Sequence, residues 1–145
     1  MRADSPEADE TAVRITRQGG MEAEESADGR FVYYSKRGRS GIWRLPADDA
    51  GGAPEEKVLD AGGQGRWSLR PEGIFVLDAG PVLKPAIRFF EFATNRLSDV
   101  VALPGDWNIG QSATGIFAVS PDAQWALVAD VGLDESDIML AENFR

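Results

Sequence analysis

The chain contains few of the side chains that carry polar reaction chemistry. It has no histidine and no cysteine among its 145 residues. This composition excludes histidine-dependent nucleophilic triads, and also zinc sites built on histidine or cysteine. We therefore expect no catalytic residue, no bound metal and no cofactor in this chain.

Two glycine-rich segments resemble reactive loops without completing the pattern. Residues 110–115 place Ser112 between glycines, but they do not spell the G-x-S-x-G of a nucleophile elbow. Residues 62–65 lack the Lys and Ser or Thr of a phosphate-binding loop. We interpret the first as a flexible approach to a strand and the second as a turn between structural units.

Residues 130–137 contain several carboxylates, and carboxylate oxygens are ligands that calcium uses in proteins. Their order departs from that of an EF-hand loop, so a solvated loop is the favoured interpretation. Glycoside hydrolysis needs two carboxylates at a defined separation, and the spacing along the chain singles out no pair.

The net charge of the chain limits which classes of partner it is expected to bind. The formal charge is −9 and the isoelectric point is about 4.5, which opposes binding to a phosphate backbone. The basic stretch at residues 36–39 follows an acidic one at residues 22–28, and we interpret it as a solvated loop. No apolar run is long enough to span a membrane, and the acidic N-terminus is unlike a secretory signal. We expect a cytoplasmic chain by default, or a periplasmic domain of a membrane-anchored parent.

The elements that would position any site are short strands. Residues 1–10 predict a disordered acidic tail, and residues 11–17 alternate as a strand would. Apolar runs bounded by Gly, Pro, Asp and Asn then predict three units, at about residues 20–60, 61–104 and 110–145. The predicted strands are 21–25, 31–35, 41–45 and 56–59, then 65–69, 73–78, 86–92 and 98–103, and finally 115–119, 125–130 and 137–143.

A turn recurs before the second strand of the outer units. Residues 26–30 read Ser-Ala-Asp-Gly-Arg and residues 120–124 read Ser-Pro-Asp-Ala-Gln, with Gly73 as the expected equivalent in the middle unit. A period of about 44 to 50 residues with four strands per unit is typical of propeller blades. The sequence predicts an all-β fold, a partial β-propeller of about three four-stranded antiparallel blades whose last blade lacks its outer strand. An ordinary sandwich is the alternative.

These residues resemble the TolB-like, WD-repeat-like bacterial β-propellers. The resemblance rests on the Ser-Pro-Asp-Gly type of turn, on the third strand at residues 41–46, and on the ending at residues 135–145. That ending is similar to propellers attached to bacterial winged-helix regulators and to some bacterial serine/threonine kinases. Ala27 and Ala123 depart from the usual Pro and Gly. The resemblance implies a non-catalytic binding or scaffolding module, the C-terminal part of a larger bacterial sensor or signalling protein.

The alternative function is the propeller portion of a peptidase or glycosidase whose catalytic domain is absent. Three blades are too few for ordinary closure, so either further blades or a second copy would complete the ring. Self-association through unpaired edge strands is expected. Partner contacts, to a protein or a small ligand, are predicted in the loops at Arg37, Arg39, Gln64, Lys84, Asp106, Trp107 and Asn108. Trp43, Trp67 and Trp125 are predicted to lie in the core between blades.

Overall fold

Among the residues that the structure describes, eleven strands form three antiparallel sheets. The structure is a computed structural model, and it describes residues 13–48, 52–78, 84–105, 117–131 and 136–142. No helix among these residues is long and apolar enough to cross a bilayer. The first sheet contains β1 (Met21–Glu25), β2 (Phe31–Lys36), β3 (Arg39–Pro46) and β4 (Glu56–Leu59). The second contains β5 (Trp67–Arg70), β6 (Gly73–Asp78), β7 (Ala86–Glu91) and β8 (Arg96–Ala102). The third contains β9 (Phe117–Val119), β10 (Trp125–Val131) and β11 (Ser136–Glu142).

Each sheet is a meander in which every strand pairs with the next one along the chain. The orders are β1-β2-β3-β4, β5-β6-β7-β8 and β9-β10-β11, all antiparallel. The third sheet has no fourth strand among the described residues. The prediction of a partial propeller with a last blade short of one strand is confirmed, and the strand bounds differ from the predicted ones by at most two residues.

The recurring turn is the same hydrogen-bonded structure in the first and third sheets. Ser26 Oγ donates to Asp28 Oδ1 at 2.6 Å and accepts from the backbone nitrogen of Phe31 at 3.0 Å. Ser120 Oγ makes the corresponding bonds to Asp122 and Trp125 at 2.6 and 3.0 Å. Gly29 and Ala123 occupy the same left-handed position, with φ of 69° and 56°. Ala123 is therefore the structural counterpart of a turn glycine.

The middle sheet has a shorter turn, and the predicted role of Gly73 is wrong. Arg70 pairs directly with Gly73, so only Pro71 and Glu72 connect the two strands. Gly73 begins β6 rather than sitting in the turn. A Cβ atom there would meet the carbonyl oxygen of Phe90 at 2.0 Å and the ring of Phe89 at 2.7 Å. Glycine is needed here because β7 approaches the backbone closely.

The second sheet lies between the other two. Residues 74–77 of β6 are at most 1% exposed, because alternate side chains enter two separate cores. Ile74 and Val76 pack in a cluster with Tyr33 and Ile42 of the first sheet. Phe75 and Leu77 pack with residues of the third sheet, among them Phe117, Val119, Ala126 and Val128. Trp67 is buried in the first of these clusters, as predicted.

The outer face of the first sheet is covered by residues 13–20 of the same chain. Ile15 packs on the buried cluster of Tyr34, Trp43 and Leu45. Residues 13–17 do not form the predicted strand. They cross the face of a sheet instead of lying beside an edge, and the Arg14 side chain donates to the carbonyls of Thr16 and Arg17. Trp43 is thus buried as predicted, but beneath this segment rather than between two blades.

A buried ion pair of the first sheet contacts the covering segment, residues 13–20, and stabilises its position. Lys36 pairs with Glu55, and their side chains are only 4% and 12% exposed. Glu55 also accepts from the backbone nitrogen of Arg17 at 3.0 Å. Burial acts to raise the pKa of Glu55, but Lys36 and the backbone amides of Arg17 and Gln18 outweigh it and hold that pKa below its usual value. Burial, together with the nearby Glu55 charge, raises the pKa of Tyr34.

The outer face of the third sheet carries apolar side chains with no covering layer among the described residues. Trp125 is 46% exposed, Leu127 and Leu140 are each 44% exposed, and Ile138 is 76% exposed. The prediction that Trp125 lies in a core is therefore wrong. Alternation along β10 turns Ala126 and Val128 toward the second sheet, so Trp125 and Leu127 face outward.

Candidate functional site

A groove opens between the first and second sheets, at the end where the recurring turn lies. Its volume is about 520 Å³. The turn at residues 26–28 and strands β2, β3 and β4 form one wall, and Leu69, Pro71, Phe92 and Asn95 form the other. The two walls come from successive blades, so the groove exists only because those sheets are stacked.

Aromatic rings line the groove and connect its walls. The rings of Tyr33 and Phe92 stack across the two sheets, with centroids 5.6 Å apart and planes inclined by 26°. Phe31 meets Tyr33 edge to face at 6.5 Å. Tyr33 is buried, while Phe31 and Phe92 are half-buried. The groove therefore offers two partly exposed rings supported by a third ring beneath them.

Arg44 organises the charged side of the groove. Its guanidinium carbon lies 4.5 Å from the centroid of the Phe31 ring, and its Nε donates to Glu56 at 2.8 Å. Burial acts to lower the pKa of Arg44, but the Tyr33 hydroxyl and the Glu56 carboxylate raise it above its ordinary value. Arg44 is therefore a fixed cation that holds Phe31 in place.

The other charged side chains that line the groove also form ion pairs or hydrogen bonds with neighbouring groups of the protein. Lys57 pairs with Asp60, and Arg70 donates to the backbone carbonyls of Val119 and Ser120 in the third sheet. Asp28 accepts from Ser26 and from the backbone of Arg30, which hold the pKa of Asp28 below its usual range. Within this groove, the aromatic surface is the feature left available to a ligand.

Glu24 stands behind the groove, between the innermost strands. Its carboxylate accepts from the backbone nitrogen of Leu69 at 3.4 Å, so β1 is linked to β5. Burial raises the pKa of Glu24, although the Leu69 amide and the nearby Arg70 oppose that shift. This carboxylate connects two sheets and does not line the groove.

Three of the residues predicted as partner contacts, Arg37, Arg39 and Gln64, lie at the other end of the sheets. Arg37 lies in the connection between β2 and β3, Arg39 is the first residue of β3, and Gln64 lies in the connection between β4 and β5; all three are exposed. The start of β3 touches the connection between β4 and β5, since Gly41 donates to the Gly62 carbonyl at 3.1 Å. Gly65 donates to Glu22 of β1, which further fixes the loop around Gln64. The structure therefore brings Arg39 and Gln64 into one rim.

Lys84 is exposed and lies in the corresponding connection of the second sheet, just before β7. Asp106, Trp107 and Asn108 lie outside the described residues, as do the segment at residues 110–115 and residues 132–135 of the acidic stretch. Among the described residues, no group of three or more acidic side chains could hold a metal ion.

The sequence analysis did not predict the groove, because the residues that line it are far apart along the chain. In the β2 and β3 hairpin, Phe31 pairs with Pro46 at one end and Lys36 pairs with Arg39 at the other, so groove and rim are separated by the strand length. Phe31, Arg44 and Phe92 were each assigned to a strand and given no site role. A useful signal was the aromatic residue directly after the recurring turn, which starts β2 at Phe31 and β10 at Trp125.

Comparison with known proteins identifies the fold. No family model matches the chain, and no curated protein sequence matches it. The crystal structure of TolB from Acinetobacter baumannii is similar over 90% of this chain, with a TM-score of 0.61 and 14% sequence identity. A putative 6-phosphogluconolactonase from Bacteroides fragilis aligns over 86% of the chain with a TM-score of 0.49 and 15% identity. The chain spans about a third of the length of each, 32% and 38% respectively. Its three sheets are a TolB-like partial β-propeller.

Proposed function

We propose that this chain is a non-catalytic binding module that holds a segment of a partner protein in the groove between its first two sheets. The observation that carries the proposal is the aromatic lining, in which Tyr33 and Phe92 stack across the two sheets at 5.6 Å. The groove volume of about 520 Å³ lies within the range of about 300 to 1,000 Å³ that is usual for ligand sites.

The ligand we expect is an extended peptide that inserts one aromatic or long aliphatic side chain. Arg44, Lys57 and Arg70 already have acidic or carbonyl partners, so a charged ligand would have to displace those contacts. The partly exposed rings of Phe31 and Phe92 offer apolar area without such a cost.

The rim at Arg37, Arg39, Gln64 and Lys84 is a second proposed contact surface. Its basic side chains on a chain of net charge −9 would favour an acidic partner. The wider setting we propose is the C-terminal part of a larger bacterial sensor or regulatory protein. In that setting, residues 13–20 separate the propeller from what precedes it, and an added blade at this end would have to displace them.

The experiment is a selection of random 12-residue peptides on the full chain, followed by affinity measurements on variants. We expect selected peptides to share an aromatic or long aliphatic residue. Phe31→Ala and Phe92→Ala should each weaken binding by about tenfold or more, which corresponds to about 1.4 kcal/mol. Trp125→Ala is the matched control, since it removes a half-exposed aromatic side chain from the outer face of the third sheet, which does not line the groove.

Three results would contradict parts of this proposal. Undiminished binding in both phenylalanine variants would remove the groove as the site. Loss of binding in Arg39→Ala with no loss in Phe31→Ala would place the contact on the rim. Turnover of ester, peptide or glycoside substrates by the purified chain would show that it is an enzyme.

A further inference from the structure

One aliphatic side chain anchors the covering segment, residues 13–20, on the outer face of the first sheet. Ile15 packs on a buried cluster that consists of Tyr34, Trp43 and Leu45. Tyr34 and Trp43 are paired across β2 and β3, so the strands themselves build this surface. The covering segment lies on the surface but is not needed to form it.

Arg17 supplies most of the polar contacts of the covering segment. Its backbone nitrogen donates to the Glu55 carboxylate at 3.0 Å, and its side chain donates to the Gly52 carbonyl at 3.1 Å. The backbone nitrogen of Gln18 also donates to Glu55. Each of these bonds involves a side chain, and residues 13–20 form no strand. The covering segment is therefore bound as a separate extended peptide could be.

Gly20 allows the covering segment to approach the sheet closely. A Cβ atom at this position would lie 3.1 Å from the Tyr34 ring and 3.0 Å from the Thr16 side chain, which is tighter than ordinary van der Waals contact. A larger residue would push the segment away from the sheet. The face therefore accommodates an aliphatic residue, an arginine two positions later and a glycine three positions after the arginine.

The covering segment is only shallowly buried. Ile15 and Thr16 are half-buried, and the other six residues are exposed. Beneath the segment, Tyr34 and Trp43 are 1% and 8% exposed. A region with few buried apolar contacts opens at a lower free-energy cost than the core. Opening of this segment would uncover a folded apolar surface that another peptide could bind.

We propose that the outer face of the first sheet is a second peptide-binding surface, which the covering segment occupies in the free protein. The partner that fits it is an extended segment of another protein with the same pattern of an aliphatic residue, an arginine and a glycine. This partner competes with the covering segment for contact with Trp43 and Glu55. Neither residue lines the groove, so this surface is independent of the function proposed above.

Competition with the covering segment sets the apparent affinity for such a partner. For a contact built around one aliphatic side chain, we expect a dissociation constant on the order of 100 μM. A segment joined directly to β1 has an effective concentration on the order of 1 mM. The covering segment then occupies the face in about ten of every eleven molecules, so the apparent affinity for a free peptide falls about tenfold.

The test is fluorescence anisotropy of a dye-labelled synthetic peptide with the sequence of residues 13–20, titrated with the full chain. Ile15→Asp in the full chain releases its own segment, so this variant should bind the peptide about tenfold more tightly than the wild type. Val13→Asp is the matched control, because Val13 is 60% exposed and this variant should bind as the wild type does. A peptide that itself carries Ile15→Asp should not bind. Far-ultraviolet circular dichroism establishes that both chain variants fold.

Native-state hydrogen exchange tests the same proposal on the natural chain. Addition of about 2 mM peptide should displace the covering segment, so the backbone amides of Arg17 and Gln18 should exchange at least threefold faster. The amides of residues 74–77 should exchange as before. Unchanged exchange at Arg17 and Gln18 would overturn the proposal. So would a folded Ile15→Asp chain that binds the peptide no more tightly than the wild type, or a Val13→Asp chain that binds it as tightly as Ile15→Asp.

Discussion

The first and third sheets share the same turn between their first two strands, but their outer faces differ. Ser26 and Ser120 make matching hydrogen bonds at 2.6 and 3.0 Å, so this connection has one local structure in both sheets. The outer face of the first sheet is covered by residues 13–20, and Trp43 on that face is 8% exposed. The outer face of the third sheet has no covering layer among the described residues, and Trp125 is 46% exposed. The local sequence repeat therefore determines how the first two strands of a blade are connected, while the burial of the blade depends on what lies next to it.

The largest expected effect comes from breaking the ion pair at the covered end. Lys36→Met leaves Glu55 buried without its partner, which should lower the free energy of unfolding by about 3 to 5 kcal/mol. Chemical denaturation measures this loss. The double variant Lys36→Met with Glu55→Gln removes both charges and should recover most of it. A loss below about 1 kcal/mol in the single variant would show that residues 13–20 are not fastened by this pair.

Acid should separate the wild type from that double variant. The pKa of Glu55 is lower in the folded protein than its ordinary value of about 4.3. The ionised Glu55 carboxylate therefore stabilises the fold when the pH is above about 4.3. This contribution is lost as the pH falls through the lower pKa that Glu55 has in the folded protein. Below about pH 4, the free energy of unfolding of the wild type should therefore fall relative to that of Lys36→Met/Glu55→Gln. A difference that is constant from pH 7 to pH 3 would contradict this account.

A matched pair of isoleucines compares the two faces directly. Ile15→Ala removes methyl groups packed on Tyr34, Trp43 and Leu45 and should cost about 1 to 2 kcal/mol. Ile138 is 76% exposed, so Ile138→Ala should change the stability of the monomer by less than about 0.5 kcal/mol. Denaturation at about 1 μM measures both values. Equal costs would mean that the two faces do not differ as the structure shows.

Most of the fold could be predicted from the sequence, because the residue patterns that indicate it are local. Alternating apolar runs and turn residues give the strands, and the repeat of Ser, Asp and a left-handed residue aligns the first blade with the third. The second blade was misaligned at Gly73, where the requirement for glycine comes from Phe90 across the sheet. The groove and the exposure of Trp125 were missed for the same reason. Both depend on which sheet faces which, and the pattern within a strand does not contain that information.

The smallest expected effect concerns the two turns. Gly29→Ala forces a side chain into a φ of 69° and should cost about 1 kcal/mol. Ala123→Gly relieves the same conformation at 56° but removes a methyl group that is 4% exposed, so the change should lie within about 0.5 kcal/mol of zero. Melting temperatures of both variants measure the contrast. A large loss in Ala123→Gly would mean that packing of this methyl group dominates over its backbone conformation.

The most direct test of the central claim is fluorine NMR of the chain labelled with 5-fluorotryptophan. The signals of Trp43 and Trp125 are assigned through Trp43→Phe and Trp125→Phe, and their solvent isotope shifts between H₂O and D₂O report exposure. We predict a large shift for Trp125 and a small shift for Trp43 in dilute solution, at about 5 μM. Equal shifts for the two residues would contradict the account.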